Sequence, residues 1–142
     1  MNCSQVMTTN PVFCQPMDPV SHAAHLMRQN DVGAIPVVSD WRGKKLVGML
    51  TDRDLAVRVV AEALDADATT VATVMTTIVM ACRANDDLSS AIKAMDVDGL
   101  QRMPIVDEED CLVGMITETD LEASLKEQDQ MPKLATQMSQ AA

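Results

Sequence analysis

The sequence predicts an α/β fold made of two tandem repeats. The stretch Gly48–Leu55 recurs as Gly114–Leu121, with the same glycine, threonine, aspartate and leucine at the same spacing. The segment 6–9, Val-Met-Thr-Thr, recurs at 74–77, an offset of 68 (74 minus 6). Each repeat combines a helical apolar period with two short apolar runs around a polar turn. This mixture indicates helices packed on short strands.

Length and composition are sufficient for a buried core. A chain of 142 residues fits one domain by size, and a tandem repeat also allows two half-sized units that share a core. Hydrophobic residues make up 47% of the chain, and Phe13 and Trp41 are its only aromatics. Packing therefore rests on aliphatic side chains and on twelve adaptable methionines.

The charge excludes two classes of partner. The formal net charge is -10, and the eleven Lys and Arg are scattered along the chain. Nucleic acids and anionic membrane surfaces both need a basic footprint, so we expect neither as a partner. No apolar run approaches the ~20 residues of a membrane span, and the N-terminus lacks the features of a secretory signal. We therefore expect a cytoplasmic location.

A long amphipathic helix is predicted in each repeat. Asp18 is interpreted as its N-cap in the first repeat, with Pro19 in the first turn, and Asp86 as the N-cap in the second. The apolar face of the first helix consists of Val20, Ala23, Ala24 and Met27. That of the second consists of Leu88, Ala91, Ile92 and Met95.

A β-hairpin and a further helix follow in each repeat. The first strands are predicted at 34–38 and 103–106, and the proline in each favours an edge strand or a strand start. Thr51 and Thr117 then open the final helices. The inner positions of those helices are Leu55, Val59 and Ala63 in the first repeat and Leu121 and Leu125 in the second.

The predicted domain limits follow from these elements. Repeat 1 spans residues 5–64, an Ala- and Thr-rich linker spans 65–73, and repeat 2 spans 74–128. The polar segment 129–142 is expected to be a flexible tail.

The repeated Thr-x-x-Asp has two interpretations. In a capping box, Thr51 and Asp54 satisfy backbone N–H groups at the start of a helix, as do Thr117 and Asp120. Alternatively, the hydroxyl and the N–H groups face a phosphate while the carboxylate accepts the ribose hydroxyls. In that interpretation the preceding glycine allows the backbone to approach a ligand. The spacing alone leaves both open.

The ordered motifs resemble a known family. Val-Met-Thr, a helix opened by Asp, then Val32–Val38 and Leu46–Leu55 resemble a cystathionine-β-synthase (CBS) domain, and Val74–Leu121 resembles a second. The resemblance covers nearly the whole chain. It implies two β-α-β-β-α repeats packed about a pseudo-twofold axis, with two clefts that hold AMP, ADP, ATP or S-adenosylmethionine in members that bind ligand.

The resemblance also implies crosswise clefts, in which one copy contacts adenine and the Thr and Asp of the other meet phosphate and ribose. The Asp54 cleft would consist of Thr51, Arg53, Asp54, Ile78, Val79, Met80, Leu100, Gln101, Arg102 and Met103. The Asp120 cleft would consist of Asn10, Pro11, Val12, Val32, Gly33, Ala34, Ile35, Thr117 and Asp120. Arg53 and Arg102 would favour phosphate in the Asp54 cleft, whereas Thr119 and Ala34 take those positions in the other, with Glu118 nearby.

The other candidate functional residues give weaker indications of a function. The four cysteines form no CxxC pair and have no histidine at zinc-ligand spacing, so we expect reduced, mostly buried thiols, with Cys14 and Cys82 at equivalent positions. His22 and His25 are interpreted as helix surface, the recurring methionines as core and 107–110 as an acidic turn, so no metal site is expected. No nucleophile–base arrangement or P-loop occurs, which argues against an enzyme.

These observations predict a non-enzymatic sensor of adenosine derivatives that needs no cofactor. We expect the protein to be a homodimer. Ligand would change how the two copies or the two protomers pack, and an unidentified partner protein would respond to that change. The alternative is a ligand-free structural or stress-response interaction protein with vestigial clefts, in which the repeated Thr-x-x-Asp is only a cap.

Overall fold

The computed structural model describes residues 1–127 and their side chains as far as residue 124. The helices are α1 Cys3–Val6, α2 Val20–Asn30, α3 Asp52–Leu55, α4 Val71–Val74, α5 Leu88–Asp98 and α6 Glu118–Glu127. The strands are β1 Thr8–Thr9, β2 Ala34–Val38, β3 Leu46–Thr51, β4 Cys82–Arg83, β5 Arg102–Val106 and β6 Leu112–Thr117. The predicted tail and the predicted inner position Leu125 lie outside the residues or side chains described. No helix among the described residues is long and apolar enough to cross a membrane.

The chain forms two compact units, each named here after its aspartate. The Asp54 unit consists of Val12–Val79 and Glu109–Leu112, and the Asp120 unit of Met1–Pro11, Met80–Glu108 and the chain from Val113. Each unit thus contains the long helix and hairpin of one repeat and the Val-Met-Thr segment of the other. The α/β fold with two tandem repeats is confirmed.

The two units have equivalent sheets. In the Asp120 unit the strand order is β1-β6-β5-β4, and β4 lies parallel to β5 with Cys82 opposite Ile105. In the Asp54 unit β2 and β3 pair antiparallel, Cys14 forms a parallel bridge to Val37, and Met49 bridges to Thr76. Both sheets therefore place a Val-Met-Thr segment beside the strand that carries the glycine.

Each unit has its own aliphatic core. The buried core of the Asp54 unit consists of Cys14, Val20, Ala23, Met27, Ile35, Val37, Leu50, Val59, Val71 and Val74. That of the Asp120 unit consists of Cys3, Cys82, Leu88, Ala91, Met95, Met103, Ile105, Ile116 and Leu121. Cys14 and Cys82 occupy matching places, which confirms their predicted shared packing role.

The helix starts differ from the prediction by one residue. Pro19 is the N-cap position of α2, and Asp87 caps α5 by accepting a hydrogen bond from the Ser89 backbone N–H. Asp18 and Asp86 instead accept from the backbone N–H three residues earlier, at Gln15 and Arg83, both at 2.8 Å. These aspartates were wrongly predicted as caps because a short side chain can stabilise the preceding turn instead.

Two further expectations are wrong. Pro104 lies in β5, which has neighbours on both sides, so it is neither at a sheet edge nor at a strand start. The proline is tolerated because β4 pairs only with Ile105 and Val106, beyond it.

In the first repeat α3 continues as a π-helical segment, Ala56–Val60. Ala63 is exposed with a φ of 54°, so it is not an inner helical position.

The repeated glycines make room for protein rather than for a ligand. A Cβ on Gly48 would lie 2.8 Å from the Met75 sulfur and 3.0 Å from the Thr76 carbonyl oxygen. A Cβ on Gly114 would collide with Met7. Close approach of the Val-Met-Thr segment therefore explains both glycines.

Gly48→Ala should destabilise the protein by about 1–3 kcal/mol, because the added methyl group overpacks a site bounded partly by backbone. Urea unfolding would measure this loss. Gly43→Ala is the matched control, since the nearest atom to its Cβ is an Asp40 side-chain oxygen at 3.4 Å. Equal stability of the two variants would contradict the packing role of Gly48.

Candidate functional site

Thr51 and Asp54 form a reciprocal capping box at the start of α3. The Thr51 hydroxyl accepts a hydrogen bond from the Asp54 backbone N–H at 3.0 Å, and the Asp54 Oδ2 accepts from the Thr51 backbone N–H at 2.9 Å. The capping interpretation is therefore confirmed. It uses only one carboxylate oxygen, so it is compatible with a ligand on the other.

The second oxygen of Asp54 faces a cation. The Arg58 Nε lies 4.0 Å from Asp54 Oδ1, and an Arg58 terminal nitrogen donates to the Val74 carbonyl at 2.9 Å. Half of the Arg58 side chain is exposed, so this ion pair contributes little to stability. Its effect is to hold a positive charge beside Asp54.

Thr117 and Asp120 repeat the capping box at the start of α6. The Asp120 Oδ2 accepts from the Thr117 backbone N–H at 3.0 Å, and the Thr117 hydroxyl accepts from the Asp120 backbone N–H at 3.2 Å. Here the carboxylate has an additional partner. The Thr8 hydroxyl donates to Asp120, at 3.1 Å from Oδ1 and 3.2 Å from Oδ2.

Charge also distinguishes the two motifs. The first turn of α3 contains Arg53 between its two aspartates. The first turn of α6 contains Glu118 and Asp120 and no basic residue, and exposed Glu122 follows. An anionic ligand is therefore better accommodated beside Thr51 than beside Thr117.

The units divide the residues of each predicted cleft. Thr51, Arg53, Asp54, Ile78 and Val79 of the Asp54 cleft lie in the Asp54 unit, and the Asp120 unit contains its other members, Met80, Leu100, Gln101, Arg102 and Met103. Of the Asp120 cleft, Asn10, Pro11, Thr117 and Asp120 lie in the Asp120 unit, and the Asp54 unit contains Val12, Val32, Gly33, Ala34 and Ile35. Joining residues of both units into one cleft stays a prediction.

Inside each unit, the start of the first hairpin strand lies beside the motif of its own repeat. The Gly33 carbonyl accepts from the Asp52 backbone N–H at 2.9 Å, and Ala34 is paired with Thr51. The equivalent bond runs from the Glu118 backbone N–H to the Gln101 carbonyl at 3.3 Å. These bonds hold the Thr-x-x-Asp turns against the hairpins.

The buried thiols lack the features of nucleophiles. Burial, and to a smaller extent the charge of Asp18, raises the pKa of the Cys14 thiol to about 12. Burial also raises the pKa of the Cys3 thiol to about 11, with a smaller contribution from Cys82. Both are protonated at neutral pH, whereas a nucleophilic cysteine needs a lowered pKa.

Sequence reasoning missed Arg58 and Thr8. Arg58 is four residues after Asp54, the spacing at which opposite charges meet on a helix, so its place was available from the sequence. Thr8 is 112 residues from Asp120, and only the recurrence of Val-Met-Thr marked it.

Comparison with known proteins identifies the family. The model of the CBS domain matches residues 3–61 and 71–127. The chain is 41% identical over 115 residues to the CBS domain-containing protein YhcV of Bacillus subtilis, covering 81% of this chain and 79% of that protein. It is 33% identical over 105 residues to Hypoxic response protein 1 of Mycobacterium tuberculosis, covering 74% and 71%. The predicted resemblance to the CBS-domain family is confirmed.

A solved structure has the same fold. CBSX2, crystallised in complex with AMP, superposes on this chain with a TM-score of 0.76. The superposition covers 89% of this chain and 98% of CBSX2. Its sequence identity to this chain is 23%, so the likeness concerns the fold. The matching family model does not indicate a catalytic domain.

Thr51→Ala should lower the free energy of unfolding by about 1 kcal/mol, because the N-cap oxygen is lost, whereas Thr51→Ser should retain most of the stability. Thermal or urea unfolding measures both. Thr77→Ala, a change at an exposed threonine of the same unit, is the control. A Thr51→Ala variant as stable as the control would show that the cap contributes nothing.

Proposed function

Since the chain belongs to the CBS-domain family and carries two copies of the domain, we propose that it is a non-enzymatic sensor that binds adenosine derivatives. The observation that carries this proposal is the Asp54 carboxylate. One oxygen is fixed by the cap, and the other faces Arg58 without a hydroxyl donor from the described residues. The hydroxyl groups of a ribose would supply such donors.

The chemistry of Asp54 suits a ribose diol. A carboxylate can accept two neighbouring hydroxyl groups through charge-assisted hydrogen bonds. The cap fixes the orientation of the side chain before a ligand arrives, which reduces the entropy lost on binding. In the same unit, Ile78 is 89% exposed and offers an apolar surface for a base.

Phosphate is the group that Arg53 suits best. Its side chain is exposed, and it follows directly after Asp52 in the first turn of α3. A guanidinium forms strong, directional bonds to phosphate oxygens. We therefore propose that the Asp54 cleft takes AMP, ADP or ATP, with Arg102 of the other repeat as a second cation. AMP is the ligand in CBSX2, which shares this fold.

The sensor would act by changing how its parts pack. A ligand that binds one arrangement of the repeats, or of two protomers in a homodimer, more tightly than another shifts the population toward it. A partner protein in the cytoplasm would read that shift. S-adenosylmethionine remains a candidate for the less basic Asp120 cleft, because its sulfonium is cationic and the surrounding acids are Glu118 and Glu122.

The second candidate is a ligand-free interaction protein. The observation that favours it is that both Thr-x-x-Asp motifs make complete capping boxes without a ligand. In that case the recurrence of the motif reflects helix initiation alone.

Thermal unfolding with AMP, ADP, ATP, S-adenosylmethionine and adenosine separates the two candidates. A compound at 100 times its Kd should add about 2.7 kcal/mol and raise Tm visibly. Asp54→Asn should then weaken AMP binding roughly tenfold to a hundredfold in calorimetry, because charge-assisted bonds of about 1.5–3 kcal/mol are lost. Asparagine retains an oxygen that can accept from the Thr51 backbone, so the cap can remain.

Asp52→Asn is the matched control for this experiment. It removes the same charge from the same helical turn, at an exposed residue whose carboxylate accepts from the Arg53 backbone. Its AMP affinity should change little. Equal losses in both variants would assign the effect to net charge rather than to Asp54, and no Tm shift with any compound would favour the ligand-free protein.

A further inference from the structure

The carboxylates of the two equivalent aspartates, Asp54 and Asp120, differ in the groups that contact them. Asp120 accepts from the Thr117 backbone N–H and from the Thr8 hydroxyl, which spans both carboxylate oxygens. Asp54 accepts from the Thr51 backbone N–H on Oδ2, while Oδ1 has the Arg58 Nε at 4.0 Å. The difference lies in the side chains around two otherwise matching capping boxes.

The backbone that carries Thr8 is matched in the other unit. Thr8 is paired with Met115 in β1 and β6, and Thr76 is bridged to Met49 at the equivalent place. Within residues 1–127, however, the Thr76 hydroxyl makes no hydrogen bond to a protein side chain, whereas that of Thr8 binds Asp120. One Val-Met-Thr segment therefore donates a hydroxyl hydrogen bond to its aspartate, Asp120, whereas the equivalent segment donates none to Asp54.

Occupation by Thr8 reduces what Asp120 can offer a diol. A carboxylate has about four acceptor positions. The Thr117 N–H takes one of them, and the bifurcated Thr8 hydroxyl lies between the two oxygens, where a bidentate diol would sit. A ribose must displace this hydroxyl before both of its own can bind.

We propose that Thr8 determines the order in which the two sites fill, by occupying the Asp120 carboxylate so that a ribose diol binds first at Asp54. The proposal rests on the proposed function, since it concerns the regulation of the same sites. Displacement of Thr8 is the additional step at Asp120, and β1, which carries Thr8, is the element that would have to adjust.

Adenosine is the probe that tests this order, because it carries the diol without a phosphate and so removes the influence of Arg53. Calorimetry is done in an Asp54→Asn background, in which the remaining site is Asp120. Thr8→Val should strengthen adenosine binding there by about tenfold, since the competing hydroxyl is absent while the β-branched shape is kept. Thr8→Ser retains the hydroxyl and should bind as the background does.

Two controls test whether the gain in adenosine affinity comes from removing the Thr8 hydroxyl from the Asp120 carboxylate. Thr9→Val makes the same change at the neighbouring exposed residue of β1 and should leave the affinity at its background value. Adding Asp120→Asn to Thr8→Val should remove the gain, because the carboxylate that Thr8 released is then gone. Circular dichroism of each variant checks that the fold is retained.

The outcomes separate the two proposals. If Thr8→Val leaves adenosine affinity unchanged or lowers it, while Asp54→Asn alone weakens binding, the order of filling is wrong and the sensor function stands. A lowered affinity would mean that Thr8 assists the ligand. If neither the unmodified protein nor any variant binds adenosine or AMP, the proposed function fails and this inference fails with it.

Discussion

The close approach of a Val-Met-Thr segment to a glycine-bearing strand is the constraint on which both candidate sites depend. Gly48 leaves room for Met75 and Thr76, and Gly114 leaves room for Met7. This approach places Thr8 where its hydroxyl reaches Asp120. In the other unit the Val74 carbonyl, at the end of α4, accepts from Arg58, which lies beside Asp54. A larger residue at either glycine would move the groups around the aspartate.

Duplication has produced two motifs with the same backbone and different chemistry. Both threonine–aspartate pairs cap their helices, so the geometry of the carboxylate is fixed without a ligand. Asp54 has cationic neighbours in Arg53 and Arg58, whereas Asp120 has acidic neighbours and a hydroxyl on its oxygens. Because electrostatic attraction to phosphate depends on these neighbours, two copies of one fold can differ in ligand.

Much of the fold was predictable because it depends on local patterns. The two long helices and both hairpins follow from apolar spacing and polar turns, and α2 and β2 occur where the sequence placed them. The helix caps were misplaced because Asp18 and Asp86 can serve either a helix or the turn before it. The bond between Thr8 and Asp120 was not predictable, since tertiary structure joins residues 112 positions apart.

A crystal structure of the protein with AMP tests the central claim most directly. The account predicts ribose hydroxyls at about 2.5–3.0 Å from the Asp54 carboxylate, the range of charge-assisted bonds from a hydroxyl, with the Thr51 cap intact and phosphate near Arg53. AMP bound away from both aspartates, or bound at Asp120 while the Asp54 carboxylate has no ligand, would contradict it.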